Sequence, residues 1–244
     1  MASERILALD VGGTFTDVVL VDPASGSLTT AKEASTPGDP SLGFFAGVDK
    51  ILGQTGVTAP EIAQLLHGAT VATNAILENK GAKTGMLVTD GFKYLLEIGR
   101  AEVPRKENIY AWVKPKRPVP PRLIQEVPER IRLDGTVVKA LSEEACRGAA
   151  RRLAALDVEA VAVLFLHSYA NAAHERRAGE ILAEELPGVE IALSSDVLPI
   201  FREYERGMAT ALNASVQPLV GRYIRKLETE MDRRGFSAPL RVMK

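Results

Sequence analysis

Cysteine is nearly absent, with Cys146 the single one in 244 residues. One thiol excludes an internal disulfide and a cysteine-rich metal site, and it fits a reducing, cytoplasmic setting. Histidine is almost as scarce: His67, His167 and His174 stand alone, and His174-Glu175 lacks a second histidine four residues on, which excludes a zinc-protease helix. No sign of charge dominates, since 30 basic and 31 acidic residues give a formal net charge of -1. That balance supplies no field to draw the chain to nucleic acid or to a membrane surface. Long apolar runs are also missing. The longest, Val158 to Leu166, is interrupted by Glu159 and is too short to cross a bilayer. The first residues lack the charged and apolar regions of a secretory signal. No internal repeat or low-complexity tract occurs.

What is present is ordinary globular composition, 46% hydrophobic and 25% charged. The length suits one large domain or two small ones. Ile6 to Asp10, Thr16 to Val21 and Leu28 to Ala34 read as three strands joined by tight turns, an antiparallel meander. Helical spacing is expected over Pro40 to Leu52, then over Ala59 to Leu66 with Pro60 in its first turn, then over Thr70 to Asn79. Lys83 to Val88 reads as a strand, and Leu123 to Ala140 as a hairpin turning at Asp134-Gly135. Helix, strand, helix and strand follow over Ser142 to Leu156, Val158 to Leu166, Ala172 to Glu185 and Val189 to Leu193, the pattern of a covered parallel sheet. Glu203 to Asp232 is expected as one long helix punctuated by Pro218, and Leu240 to Met243 begins another strand.

The sharpest chemical signal is Asp10-Val11-Gly12-Gly13-Thr14-Phe15-Thr16-Asp17. It is no Walker loop, and a strand rather than a helix follows the glycines, so it is no dinucleotide fingerprint either. Without Cβ atoms, Gly12 and Gly13 can take positive φ and turn successive N–H groups inwards as an anion nest. Thr14 and Thr16 add hydroxyl donors, and Asp10 and Asp17 flank the turn. One of these carboxylates, Asp10 first, could hold the waters of a Mg²⁺ ion, which usually takes only one or two carboxylates. The alternative is a plain hairpin. Thr70, Asn74 and Glu78 stand a turn apart and can share one helix face, either solvated or turned to a ligand. Glu203 and Arg206 open the long helix, where acids in the first turn and exposed ion pairs are one reading and a cleft lining is the other. Pro104 to Arg122 interleaves basic residues with Tyr110 and Trp112. It is read as a surface loop at a subunit contact rather than as a single-strand nucleic-acid platform.

The strand, D-x-G-G-T-x-T-D, strand sequence resembles the first phosphate motif of the actin/hexokinase/Hsp70-type ATPases. His67-Gly68-Ala69-Thr70-Val71-Ala72-Thr73-Asn74 through Glu78 resembles the H-G-T-T-x-x-T-N-x-x-L-E segment of the hydantoinase A/5-oxoprolinase family, which includes acetone carboxylase subunits. Gly91-Phe92 through Arg100, Leu166 to Tyr169 and Arg202 to Arg206 match the same family in order. Ala69 stands where that family has its first Thr, and Gly207 where a Thr is usual.

The resemblance implies an α/β fold, a ribonuclease-H-like first lobe with an N-terminal meander and a mixed or parallel sheet flanked by helices. It implies residues 4–186 as the family's N-terminal domain and 187–244 as the start of the next. It also implies continuation past Lys244 into a second phosphate loop, so the sequence is expected to be a truncated piece or a split-gene product with little turnover of its own. The implied chemistry is ATP- and Mg²⁺-dependent opening of a cyclic amide through phosphorylation of its oxygen, with a second hydantoinase-type subunit as partner. A carboxylase subunit or a non-catalytic nucleotide sensor is the alternative. On this reading Gly12, Gly13, Thr14, Phe15 and Thr16 meet the phosphates, Asp10 the metal, Asp17 the metal or a water, and His67, Thr70, Asn74, Glu78, Glu203 and Arg206 the substrate.

Overall fold

The computed structural model describes residues 5–36, 38–100, 108, 110–113 and 115–243. Its elements in chain order are β1 (Arg5–Val11), β2 (Phe15–Asp22), β3 (Ser27–Ala34), α1 (Pro40–Thr55), β4 (Ile62–Ala69), α2 (Val71–Leu77), β5 (Thr84–Thr89), α3 (Leu95–Ile98), β6 (Ile124–Val127), β7 (Arg130–Ile131), β8 (Val137–Lys139), α4 (Glu143–Ala154), β9 (Ala160–Leu164), α5 (Ala173–Glu185), β10 (Glu190–Leu193), α6 (Ser194–Val197), α7 (Glu203–Arg233) and β11 (Leu240–Val242). The chain packs as two compact units, one of residues 1–80 with 219–244, the other of residues 81–218. Of the basic, proline-rich stretch 104–122, residues 104–107, 109 and 114 lie outside the described set.

The first unit holds a five-stranded sheet in the order β11-β4-β1-β2-β3. β1, β2 and β3 form the expected antiparallel meander, while β4 runs parallel to β1. Alternation sets the faces: Leu7, Leu9, Val11, Val18 and Leu20 are buried beneath α1 with Phe44, Val48 and Ile51. Each such side chain contributes roughly 1.5–3 kcal/mol by leaving water. α1 starts on Asp39, whose carboxylate accepts the Ser41 N–H at 3.2 Å, followed by Pro40. It stops at Gly56, which sits at φ 70° and returns its N–H to the Leu52 carbonyl. Gly47 lets the helix lie close on β2, for a Cβ there would stand 2.6 Å from Val18 Cγ2.

The helix expected over 59–66 is a strand. A single 3₁₀ turn, Ala59–Glu61, leads into β4, which pairs with β1 on one side and β11 on the other. The misleading signal has a physical source. The register slips between Arg5 and Ile6, which face Ile62 and Gln64, so one residue of β4 is extra. That bulge puts Ile62 and Leu65, three apart, both in the core and imitates a helical period.

The second unit is built on a parallel sheet, β10-β9-β5-β6, with β5 and β9 buried along their length. The covered parallel sheet expected here is present. The hairpin expected over 123–140 is shorter than its pattern: the turn falls at Asp134-Gly135, but only β7 and β8 form the ribbon. Residues 124–127 leave it to pair with β5 as β6, and Pro128 separates the two tasks. Cys146 lies fully buried in this core, and burial pushes its thiol up to about 11, so it packs as an inert small residue. The long helix α7 contains Pro218, where the division between the units falls.

Candidate phosphate site at the first hairpin

β1 and β2 pair from Ile6↔Val21 to Val11↔Thr16, leaving Gly12 to Phe15 as the turn. The turn is closed by the Gly12 N–H, which donates to the Phe15 carbonyl at 3.0 Å, and by the Ser35 N–H, which donates to the Thr14 carbonyl at 2.9 Å. Two sequence expectations change here. Neither Gly12 nor Gly13 has a left-handed φ, so no nest of alternating hand is present. Glycine is needed for closeness instead, because a Cβ on Gly12 would lie 3.1 Å from the Phe15 carbonyl oxygen. The Gly12 N–H is spent on the turn, whereas among the described residues no acceptor meets the N–H of Gly13 or Thr14.

The two threonines divide between the faces. Thr14 is exposed at the tip. Thr16 is fully buried on the α1 side, with its hydroxyl 3.2 Å from Ser35 Oγ. Strand parity dictates this, since Thr16 pairs with Val11 on the core face. Its expected phosphate contact is therefore replaced by a packing role.

Asp10 pairs with Asp17 across the hairpin and with Gly68 across the parallel junction, and both carboxylates are exposed. Asp17 already has a cation, Lys32, at 3.0 Å. Among the described residues Asp10 has neither an ion pair nor a hydrogen bond. Its carboxylate lies where a side chain on residue 68 would begin, for a Cβ on Gly68 would stand 3.2 Å from Asp10 Oδ1. Gly68 carries no functional signal in the sequence, because it matters through the side chain it lacks. Among the described residues no three or more His, Cys, Asp or Glu gather to cage a metal. A Mg²⁺ ion that keeps most of its water needs only one carboxylate, and Asp10 has the right chemistry for that.

Thr70 and Asn74 are brought to the same place. The carbonyl of Val11, the last residue before the turn, accepts from the Thr70 N–H at 3.3 Å and from its hydroxyl at 3.2 Å. Asn74 Nδ2 donates to Thr70 Oγ1 at 3.1 Å and lies 3.6 Å from the position of a Cβ on Gly13. Glu78 does not join them: α2 ends at Leu77, and the Glu78 carboxylate is ion-paired with Lys80.

The remaining substrate candidates have other duties. His67 is fully buried, with Nδ1 3.4 Å from the Leu9 carbonyl and Nε2 2.9 Å from the Tyr223 hydroxyl. A neutral ring donating from Nδ1 and accepting at Nε2 satisfies both, and burial pushes the imidazole below its ordinary value. Arg206 is also fully buried. It donates to the carbonyls of Phe165 at 2.8 Å and Ile200 at 3.4 Å and lies over the Tyr169 ring. It is a brace rather than a cleft residue, and burial depresses even its guanidinium. Glu203 remains exposed at the start of α7.

Comparison with known proteins follows the same line. Residues 6–186 match the hydantoinase/oxoprolinase N-terminal region. The chain is 35% identical over 240 residues to the caprolactamase subunit alpha of Pseudomonas jessenii, covering 96% of this chain and 34% of that protein. It is 31% identical over 256 residues to the acetone carboxylase beta subunit of Xanthobacter autotrophicus, covering 98% of this chain and 35% of that one. The crystal structure of the ATP-dependent caprolactamase from Pseudomonas jessenii superposes with a TM-score of 0.88 at 33% identity, over 97% of this chain and 35% of that chain. The chain thus spans about a third of the length of these relatives.

Proposed function

This chain belongs to the hydantoinase/oxoprolinase family, and from that premise we propose that it is the phosphate-binding part of an ATP-dependent enzyme that opens cyclic amides. The observation that carries the reading is the unpaired Asp10 carboxylate beside a turn whose Gly13 and Thr14 N–H groups have no acceptor among the described residues. A carboxylate without a counterion and donors without acceptors suit a hydrated cation and an anion.

Amides are poor electrophiles because nitrogen donates into the carbonyl. ATP with Mg²⁺, when bound, supplies a phosphoryl group that makes the amide oxygen a leaving group. The protein's task in such a transfer is positioning and charge compensation rather than covalent chemistry. Here the Gly13 and Thr14 N–H groups and the Thr14 hydroxyl would receive phosphate oxygens, and Asp10 would orient the metal through its water. Thr70 and Asn74 would hold the turn from behind.

The similarity to an acetone carboxylase subunit favours a second reading, in which the same phosphorylation activates a ketone. One experiment separates the two. The full-length protein, with its partner subunit, is assayed for phosphate release with hydantoin, 5-oxoproline, caprolactam and acetone in parallel. A rise with a cyclic amide supports the proposal, and a rise that needs acetone and bicarbonate replaces it with the carboxylase. No substrate-dependent release in any arm would leave a nucleotide sensor and reject both.

A further inference from the structure

One row of residues lies in register across four strands of the first unit. Gly68 on β4 pairs with Asp10 on β1, Asp10 with Asp17 on β2, and Asp17 with Lys32 on β3. Paired residues project from the same face, and all three side chains are exposed. Lys32 does not simply extend from its own strand. Its Nζ is 3.0 Å from Asp17 Oδ1 and 5.0 Å from the centroid of the Phe15 ring. Both groups belong to β2, and Phe15 is where the chain leaves the turn. The ammonium therefore leans across β2 towards the tip of the hairpin.

Phosphoryl transfer needs a cation against the charge on the transferring oxygens. From Val11 to Val21 the hairpin contains no lysine or arginine. We propose that Lys32 is the cation of this phosphate site, exchanging the Asp17 carboxylate for a phosphate oxygen when nucleotide binds. The Lys32 and Asp17 side chains are 57% and 55% exposed. An ion pair that open to water holds its partners weakly, so the exchange forfeits little. The Phe15 ring keeps the ammonium over β2 in the meantime. This proposal rests on the nucleotide reading above.

The test is calorimetric titration of the full-length protein with ATP in the presence of Mg²⁺. Lys32→Met should weaken ATP about tenfold, the size of a lost charge-assisted contact, while Lys32→Arg should bind within a few-fold of the parent. The double variant Asp17→Asn/Lys32→Met should bind as weakly as Lys32→Met alone. Recovery in the double variant would overturn the proposal, because the lysine would then only shield Asp17. Undiminished binding by Lys32→Met would overturn it too. Gly13→Val, whose Cβ would lie 3.6 Å from Asn74 Nδ2 and which puts a branched side chain in the turn itself, tells the two claims apart. If it abolishes binding while Lys32→Met does not, only the role of Lys32 fails. If neither variant changes affinity, nucleotide binds elsewhere and the hairpin reading fails as well.

Discussion

Two groups of charged residues in this chain, one buried and one exposed, are treated in opposite ways. In the second unit Glu175 is fully buried and accepts from the Phe165 N–H at 2.8 Å, Ser194 Oγ at 2.6 Å and the Ser195 N–H at 2.8 Å. Nearby in that network Glu129 accepts from Thr89 and meets His174 Nδ1 at 2.7 Å, and Arg206 caps the Phe165 carbonyl. Around the first hairpin, by contrast, Asp10 and two backbone N–H groups are exposed and without partners among the described residues. The first arrangement is nearly saturated, with Arg206 Nε and Ser195 Oγ left unpaired inside it, and the second offers charge and donors at the surface together.

The comparison breaks most visibly if the buried network proves dispensable. Arg206→Met removes a buried cation near Glu175, leaves the Ile200 carbonyl without a donor among the described residues and leaves the Phe165 carbonyl only the Ser168 N–H at 3.4 Å. Stability should fall by about 3–5 kcal/mol, the usual cost of breaking a buried charged cluster by removing one member. A thermal melt reads this directly, and an unchanged melting temperature would show that Arg206 is not a brace. Asp10→Asn, on the exposed side, should do the reverse. The melting temperature should hold while ATP-dependent turnover of the full-length enzyme drops about 10–100-fold, as for other groups that orient a metal through its water. A folded variant with full turnover would remove Asp10 from the site.

His67 sharpens the contrast within the first unit, because it lies one residue from Gly68 and yet belongs to the core. Its folded pKa is lowered, chiefly by burial. The unfolded chain therefore binds a proton as pH falls through about 6.5, while the folded chain resists. Stability is full above that pH and declines below it, by at most about 1.4 kcal/mol per pH unit, until the lower folded pKa is reached. His67→Leu should be less stable at neutral pH and should lose this part of the acid dependence. If melting curves of the parent and the variant shift in parallel between pH 7 and 5, His67 is not the group responsible.

Much of this was legible in advance, and the failures have identifiable causes. The meander, the parallel second sheet and α7 were readable because alternation and helical spacing persist over enough residues to fix a face. β4 is not legible as a strand, because a single bulge gives its sequence a helical period. Asp10, Gly13 and Thr14 were legible as a turn flanked by acid, but the division of Thr14 from Thr16 needed the strand register, which places Thr16 opposite Val11. His67 and Arg206 looked functional because polar residues near a motif attract that reading. Only their partners, fifty-eight and forty-one residues away in sequence, show them to be structural. Lys32 carried no signal at all, since an exposed lysine in a strand is commonplace until its row is known.

Thr70 has the smallest predicted effect and lies on the boundary between the two categories. Its hydroxyl donates to the Val11 carbonyl and accepts from Asn74, so it braces the turn, yet it sits within reach of the site it supports. Thr70→Val keeps the shape and the backbone N–H contact to Val11 while deleting both side-chain hydrogen bonds. One modest hydrogen bond is worth about 1 kcal/mol. If the bond mainly sets the pose of the turn, KM for ATP should rise about three- to tenfold, with kcat and melting temperature nearly unchanged and Thr70→Ser restoring the parent value. If it is a brace of the Arg206 kind, the same energy should appear in the melting temperature instead, with KM unmoved. The split between those readouts decides whether an exposed threonine beside a working turn is counted with the turn or with the core.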